Sequence, residues 1–305
     1  MKLVFMGSGA FGLPSLEHLS RSHDVQLVIT QPDRPSGRGR HPASTPIGAA
    51  AEEAGIQCLK TLDANEPFII EKLNEVNPDA IIVIAFGQKL GPALLDGKLA
   101  MNLHASLLPR HRGAAPIQWA IIQGDGLTGL SVITLADRID AGDVLGMVDT
   151  PIDPSETAGE LHDRLADMGP PLLEQVLLDA ENDSLQPVPQ DEEEATHAPK
   201  LRRSDATVHF DQSGVAVRNR VHGLTPWPGC DILFCGSKLR LLQVEATSGD
   251  CPGASPGQFL EDGTIACRQG GIRLLKVQEP GRRPMDFQDW IHGHAVEHPG
   301  MCTPL

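Results

Sequence analysis

Lys2-Leu3-Val4-Phe5-Met6-Gly7-Ser8-Gly9-Ala10-Phe11-Gly12 begins with a short, mostly apolar run and passes into a glycine-rich turn. Pro14 follows where a helix would open, because its fixed φ and missing N–H suit a first helical turn. Strand, turn, helix is therefore the predicted order. Working outward, Val25–Ile29, Ala80–Ala85 (AIIVIA) and Leu99–His104 are further strand candidates, and helical patterns cover Thr45–Ala54 and Glu66–Val76 between them. Strands that alternate with helices predict an α/β fold built on a parallel sheet.

Gly7, Gly9 and Gly12 also spell the G-x-G-x-x-G spacing of dinucleotide sites, in the right place between strand and helix. That reading needs an acid at the end of the second strand to hold a ribose. Here the strand ends Ile29-Thr30-Gln31-Pro32, with Asp33 displaced past a proline. The glycines are read as serving a tight turn, and a nicotinamide-dependent oxidoreductase is kept only as an alternative from another class.

The chain has 305 residues, 40% of them hydrophobic and 21% charged, which fits an ordinary globular protein of two domains. No apolar stretch is long enough to span a membrane and no signal peptide is evident, so a cytoplasmic protein is expected. Six scattered cysteines show no C-x-x-C pair and are read as structural thiols. The net charge of −15 argues against indiscriminate coating of nucleic acid. It is unevenly spread: residues 1–199 hold 13 basic and 29 acidic side chains, residues 200–305 hold 12 and 11. Glu181–Pro199 carries six acids, three prolines and no Lys or Arg, and is read as a linker. Its run Asp191-Glu192-Glu193-Glu194 is expected to be a solvated spacer.

The chemistry is concentrated in Asn102-Leu103-His104-Ala105-Ser106-Leu107-Leu108-Pro109-Arg110-His111-Arg112-Gly113. Asn102 and His104 are two apart at a strand end, so both side chains project to one side at the edge where α/β sheets place ligands. An amide and an imidazole side by side can hold a developing oxyanion and move a proton. Asp137-Arg138-Ile139-Asp140-Ala141-Gly142-Asp143 forms a second polar loop between the strand-like runs Leu130–Leu135 and Val144–Val148. A carboxylate from it could orient and charge the imidazole, or the three acids could simply solvate a turn.

The block Asn-x-His-x-Ser-Leu-Leu-Pro-x-x-Arg-Gly, followed 38 residues after its Asn by the Asp of Asp-Ala-Gly-Asp, resembles the formyltransferases that use 10-formyltetrahydrofolate. From about Lys2 to about Arg283 the chain is similar to the branch of that family acting on methionyl-tRNA. Gln31-Pro32-Asp33-Arg34-Pro35-Ser36-Gly37-Arg38-Gly39-Arg40 resembles a loop that enters the tRNA acceptor end, and His197-Ala198-Pro199-Lys200-Leu201 and Pro226-Trp227-Pro228-Gly229 resemble motifs at the start of and within a second domain. The first turn departs from the Gly-Thr-Pro-x-Phe that many members carry.

The resemblance implies a Rossmann-like catalytic domain over residues 1–180, a linker over 181–199 and a smaller OB-like β-barrel over 200–305 that binds tRNA. Short strands near Asp231–Phe234, Lys238–Val244, Thr264–Arg268 and Ile272–Val277 agree with a barrel. It implies formyl transfer to the α-amine of initiator methionyl-tRNA, with Asn102 and protonated His104 donating to the tetrahedral oxyanion, Asp140 keeping the imidazolium charged and a water relaying the amine proton. Phe86, Gly87, Gln88, Ser106, Leu107, Leu108 and Pro109 would wall the pocket of the folate cosubstrate. Arg34, Arg38 and Arg40, with Lys200, Arg202 and Arg203, would meet tRNA, where guanidinium forks suit phosphates and base edges. A small-amine acceptor such as a sugar nucleotide or glycinamide ribonucleotide, hydrolysis of formyltetrahydrofolate, and non-catalytic tRNA binding are the alternatives. A monomer, no membrane partner and no metal are expected. His292-Gly293-His294 with His298 and Cys302 has metal-binding atoms but sits among polar residues at the chain end.

Overall fold

The computed structural model describes residues 1–36, 41–294 and 299–305. Their contacts form two compact units. The first comprises Met1–Arg112, Gly129–Asp149 and His162–Thr196; the second comprises Gly113–Thr128, Thr150–Leu161 and His197–Leu305.

The first unit is organised by a seven-stranded sheet. In chain order its strands are β1 (Lys2–Gly7), β2 (Asp24–Thr30), β3 (Cys58–Lys60), β4 (Ala80–Ile84), β5 (Leu99–His104), β6 (Leu127–Thr134) and β7 (Val144–Pro151). They lie side by side as β7-β6-β5-β4-β1-β2-β3. β1 pairs in parallel with β2 and β4, β2 with β3, and β4 with β5, which is the doubly wound order. The sheet is not wholly parallel: β6 runs antiparallel to β5, with Asn102 opposite Ile133 and His104 opposite Ser131. Arg34–Ser36 pairs antiparallel with His41–Ala43. Gly37, Arg38, Gly39 and Arg40 of the expected tRNA loop lie outside the described residues.

Helix boundaries follow local chemistry. The helices α1 (Leu13–Ser22), α2 (Pro46–Glu53) and α3 (Pro67–Val76) each carry a proline at the start, where its missing N–H costs nothing. The Thr45 hydroxyl caps α2 by accepting from the Gly48 amide at 2.9 Å. Asn77, at φ 45°, ends α3 in the left-handed conformation. The fully buried run AIIVI of β4 sits in the middle of the sheet, covered on both faces, which is why it reads as continuous apolar sequence. The glycines of the first turn serve close packing: a Cβ on Gly7 would stand 2.8 Å from the Ile84 carbonyl and from the Phe5 ring. Asp33, beyond β2, is ion-paired to Lys60 at 2.8 Å.

The second unit is a closed antiparallel barrel with helices on it. Its strands are β8 (Cys230–Phe234), β9 (Ser237–Thr247), β10 (Gln258–Phe259), β11 (Thr264–Ala266), β12 (Gly271–Gln278), β13 (Met285–Asp286) and β14 (Gly300–Pro304), in the order β9-β8-β14-β10-β11-β12-β13. β9 also pairs with β12 and thereby closes the barrel, and its register slips between Leu241 and Val244, where the strand bends. Phe234 occupies the core, its ring 4.8 Å from Phe259 and 5.3 Å from Phe287 in edge-on geometry. Helix α4 (Pro116–Gln123) belongs to this unit although it comes early in the chain, and it lies against α6 (Gly214–Gly223), where a Cβ on Gly223 would stand 2.6 Å from Ile122. Between them in sequence, α5 (Ala158–Glu181) runs for 24 residues. Burial pushes the Cys230 and Cys267 thiols up to about 12, in keeping with structural cysteines. His294 stacks on Trp290 at 4.1 Å and pairs with Glu279 at 3.2 Å, while His298 lies outside the described residues. Among the described residues no helix is long and apolar enough to cross a membrane.

Candidate active site

Asn102 and His104 stand at the carboxyl end of β5, and the chain then folds back on itself through a rigid loop. The Ser106 hydroxyl donates to the Arg110 carbonyl at 2.6 Å, and the Ser131 hydroxyl donates to the Ser106 carbonyl at 2.7 Å while accepting from the Leu108 amide at 3.1 Å. Ser106 and Leu108 are buried. This loop returns His111 to His104, whose Nε2 donates to the His111 carbonyl at 3.0 Å. The other ring nitrogen, Nδ1, faces the Asp140 carboxylate at 3.6 Å. His104 is only 6% exposed, so these interactions operate largely out of water.

Asp140 reaches this position from the loop between β6 and β7. Backbone and side chain pinch the loop shut: the Thr134 amide donates to the Asp143 carbonyl and the Asp143 amide to the Thr134 hydroxyl, both at 2.9 Å. Asp140 itself sits at φ 55°, a left-handed conformation that non-glycine residues hold only when their surroundings impose it. A Cβ on Gly142 would stand 1.7 Å from the Thr134 carbonyl oxygen, so only glycine fits there.

The acidic stretch expected as a solvated spacer is bonded to the site loops, a correction to that reading. The Arg112 side chain, 5% exposed, holds Glu192 with both terminal nitrogens at 3.0 and 3.1 Å, and Arg138 grips the same carboxylate at 2.8 and 2.9 Å. Arg112 and Arg138 hold the Glu192 carboxyl well below the usual range, down to about 2. Because this folded-state value is depressed, the pairing is present above the ordinary value of 4.5 and is lost only as pH falls through about 2. Carboxyl-detected NMR should therefore place the Glu192 midpoint near 2, and near the ordinary value once both arginines are replaced by alanine. An ordinary midpoint in the unsubstituted protein would contradict the clamp. Gln190, which no motif or composition signal singles out, lies in the same stretch and donates to the Asp140 and Gly142 carbonyls.

Phe86 is buried in the sheet core and offers only its backbone, whose carbonyl accepts from Gln31 Nε2 at 2.7 Å. Gly87 follows with φ 74°. The Gln88 side chain is turned to the neighbouring loop, accepting from the Ala64 amide at 2.7 Å and donating to the Thr61 carbonyl at 2.9 Å. Arg34 is exposed and donates to Gln31 Oε1. In the second unit Lys200, Arg202 and Arg203 are exposed around the buried anchor Leu201.

The model of the formyl transferase family matches residues 1–177, and that of the formyl transferase C-terminal domain matches residues 200–295. The chain belongs to the formyl transferase family. Proteins named methionyl-tRNA formyltransferase align along almost the whole of this formyl transferase. The one from Citrifermentans bemidjiense is 36% identical, over 99% of this chain and 96% of its own. The one from Acidobacterium capsulatum is 40% identical, over 97% of each. Among solved structures, the sugar 3N-formyl transferase WlaRD, crystallised with dTDP and 5-N-formyl-THF, superposes with a TM-score of 0.68 at 14% identity, over 93% of this chain and 99% of that one. HypX from Aquifex aeolicus in complex with tetrahydrofolic acid gives 0.60 at 17% identity, over 95% of this chain and 47% of that one. At such identities the likeness is one of fold.

Proposed function

We propose that this formyl transferase moves the formyl group of 10-formyltetrahydrofolate to the α-amine of methionyl-initiator tRNA, giving N-formylmethionyl-tRNA. The observation that carries this reading is the alignment, along nearly the full chain, with relatives named for that activity. In the reaction the amine nitrogen attacks the formyl carbon, a tetrahedral oxyanion forms, and the bond to N10 then breaks while the proton lost by the amine passes through water to N10. Asn102 and His104 are the donors to the oxyanion. The Nε2–H that rests on the His111 carbonyl turns its hydrogen bond to the formyl oxygen as the substrate takes that acceptor's place, keeping its proton throughout, and Asp140 holds the ring from its other nitrogen.

The folate lies against the backbone of Phe86 and Gly87 and the loop Ser106, Leu107, Leu108 and Pro109, all at the carboxyl edge of the sheet, with Gln88 holding the pocket from behind. Catalysis is assigned to the sequence region 1–180 and tRNA binding to 200–305, with 181–199 joining them in sequence while its residues up to Thr196 pack with the first unit. Arg34, Arg38 and Arg40 and, on the second unit, Lys200, Arg202 and Arg203 meet the tRNA. The enzyme works as a cytoplasmic monomer.

The test is transfer of labelled formyl from 10-formyltetrahydrofolate with methionyl-initiator tRNA, free methionine and glycinamide ribonucleotide offered as competing acceptors. Label on the charged tRNA alone is expected, at a rate that falls steeply with added salt because phosphate contacts release counterions. Label on a small amine, or formate released to water, would overturn the assignment of acceptor.

A further inference from the structure

The carboxamide of Gln190 has no spare hydrogen-bonding capacity. Its oxygen accepts from Nε and Nη2 of Arg112 at 2.9 and 2.8 Å, and its nitrogen donates to the backbone oxygens of Asp140 and Gly142 at 2.8 and 2.7 Å. Arg112 directly follows His111, whose carbonyl holds one nitrogen of His104, and Asp140 faces the other. A single amide therefore joins the two backbone stretches between which the imidazole is held.

Its neighbours fix the amide in place. Two residues before it, Val188 pairs with Val144 at the start of β7 through reciprocal backbone bonds of 2.8 and 2.9 Å. Two residues after it, Glu192 grips both Arg112 and Arg138, the latter two positions before Asp140. The stretch is thus stitched at three points two residues apart, by backbone at Val188 and by side chains at Gln190 and Glu192. The left-handed backbone of Asp140 needs such support, and the two donated hydrogens supply it on the carbonyls of Asp140 and Gly142.

We infer that Gln190 is a positioning residue for formyl transfer: by bonding to the Asp140 and Gly142 carbonyls while seated on Arg112, it sets the Asp140 carboxylate against His104. This rests on the reading of Asp140 as the partner of His104 in the reaction.

Full-length enzyme carrying Gln190→Ala is expected to lose about 10- to 100-fold in kcat, since displacements of an ångström cost that order of rate, with KM for folate and for charged tRNA within about twofold. Gln190→Glu keeps an acceptor for Arg112 and so keeps the stretch anchored, yet it has no hydrogens for the two carbonyls, and it is expected to be as slow. In an Asp140→Ala background Gln190→Ala should add less than about twofold, because both changes remove one function. Wild-type kcat in Gln190→Glu, or an undiminished effect of Gln190→Ala in the Asp140→Ala background, would overturn the inference. A slow Asp140→Ala beside an unaffected Gln190→Ala would overturn this inference alone, whereas an unaffected Asp140→Ala would remove the reading it rests on as well.

Discussion

Asp140→Ala is expected to slow formyl transfer by about a hundred- to a thousand-fold, and Asn102→Ala by a similar factor. Each change removes one side of a device that acts on charge developing in the transition state. In the proposed mechanism Asn102 donates to the oxyanion, and Asp140 orients the ring that supplies the other donor. With His104 6% exposed, water cannot take over either role, so the loss should fall on the chemical step rather than on binding. Single-turnover transfer with both substrates saturating reads that step directly and separates it from product release. If both variants stayed within about threefold of the parent enzyme, the assignment of Asn102, His104 and Asp140 would be wrong.

The second large effect is expected from a residue with no side chain. Gly142→Ala places a methyl group 1.7 Å from the Thr134 carbonyl oxygen and 2.8 Å from its hydroxyl, and the carbonyl belongs to the end of β6. The strand is held by its neighbours, so the loop must yield. Any shift that relieves the overlap pulls Asp143 off Thr134 and carries Asp140 away from His104. A fall in kcat of about a hundredfold or more is expected, with the melting temperature changed far less, because the loop adds little to the core. A Gly142→Ala enzyme that kept near-parental kcat would show that the tight closure of this loop does not place the carboxylate.

Much of this arrangement is written in local sequence. The strand-turn-helix opening, the apolar run of β4 and the prolines at helix starts are short-range signals, and the structure has the corresponding elements within a few residues. The Asn102 and His104 pair was legible because a two-residue spacing on a strand has only one geometric meaning. Proximity of Asp140 to His104 came from resemblance and not from spacing, since three acids in one loop are equivalent on paper. What the sequence hid are couplings over long separations. Gln190 reaches back 50 residues to Asp140, and Glu192 reaches 80 to Arg112, so neither bond leaves a periodic or compositional trace. A run of acids next to prolines has the composition of a solvated connector; only tertiary contact shows that one of its carboxylates neutralises a buried guanidinium. In the same way no local signal shows that the helix Pro116–Gln123 packs on α6 of the second unit.

The bonding of Gln190 also bears on where this chain can be cut. A fragment ending at residue 177, where the match to the N-terminal family model stops, would retain Asn102, His104, Asp140 and every strand of the first sheet. It would still lack Val188, Gln190 and Glu192, leaving the Arg112 guanidinium without the Glu192 carboxylate and the Asp140 loop without the two amide hydrogens of Gln190. No single cut separates the two units, because residues 113–128 and 150–161 of the second unit precede Thr196, but any cut that spares the bonding of the first unit must lie beyond Thr196.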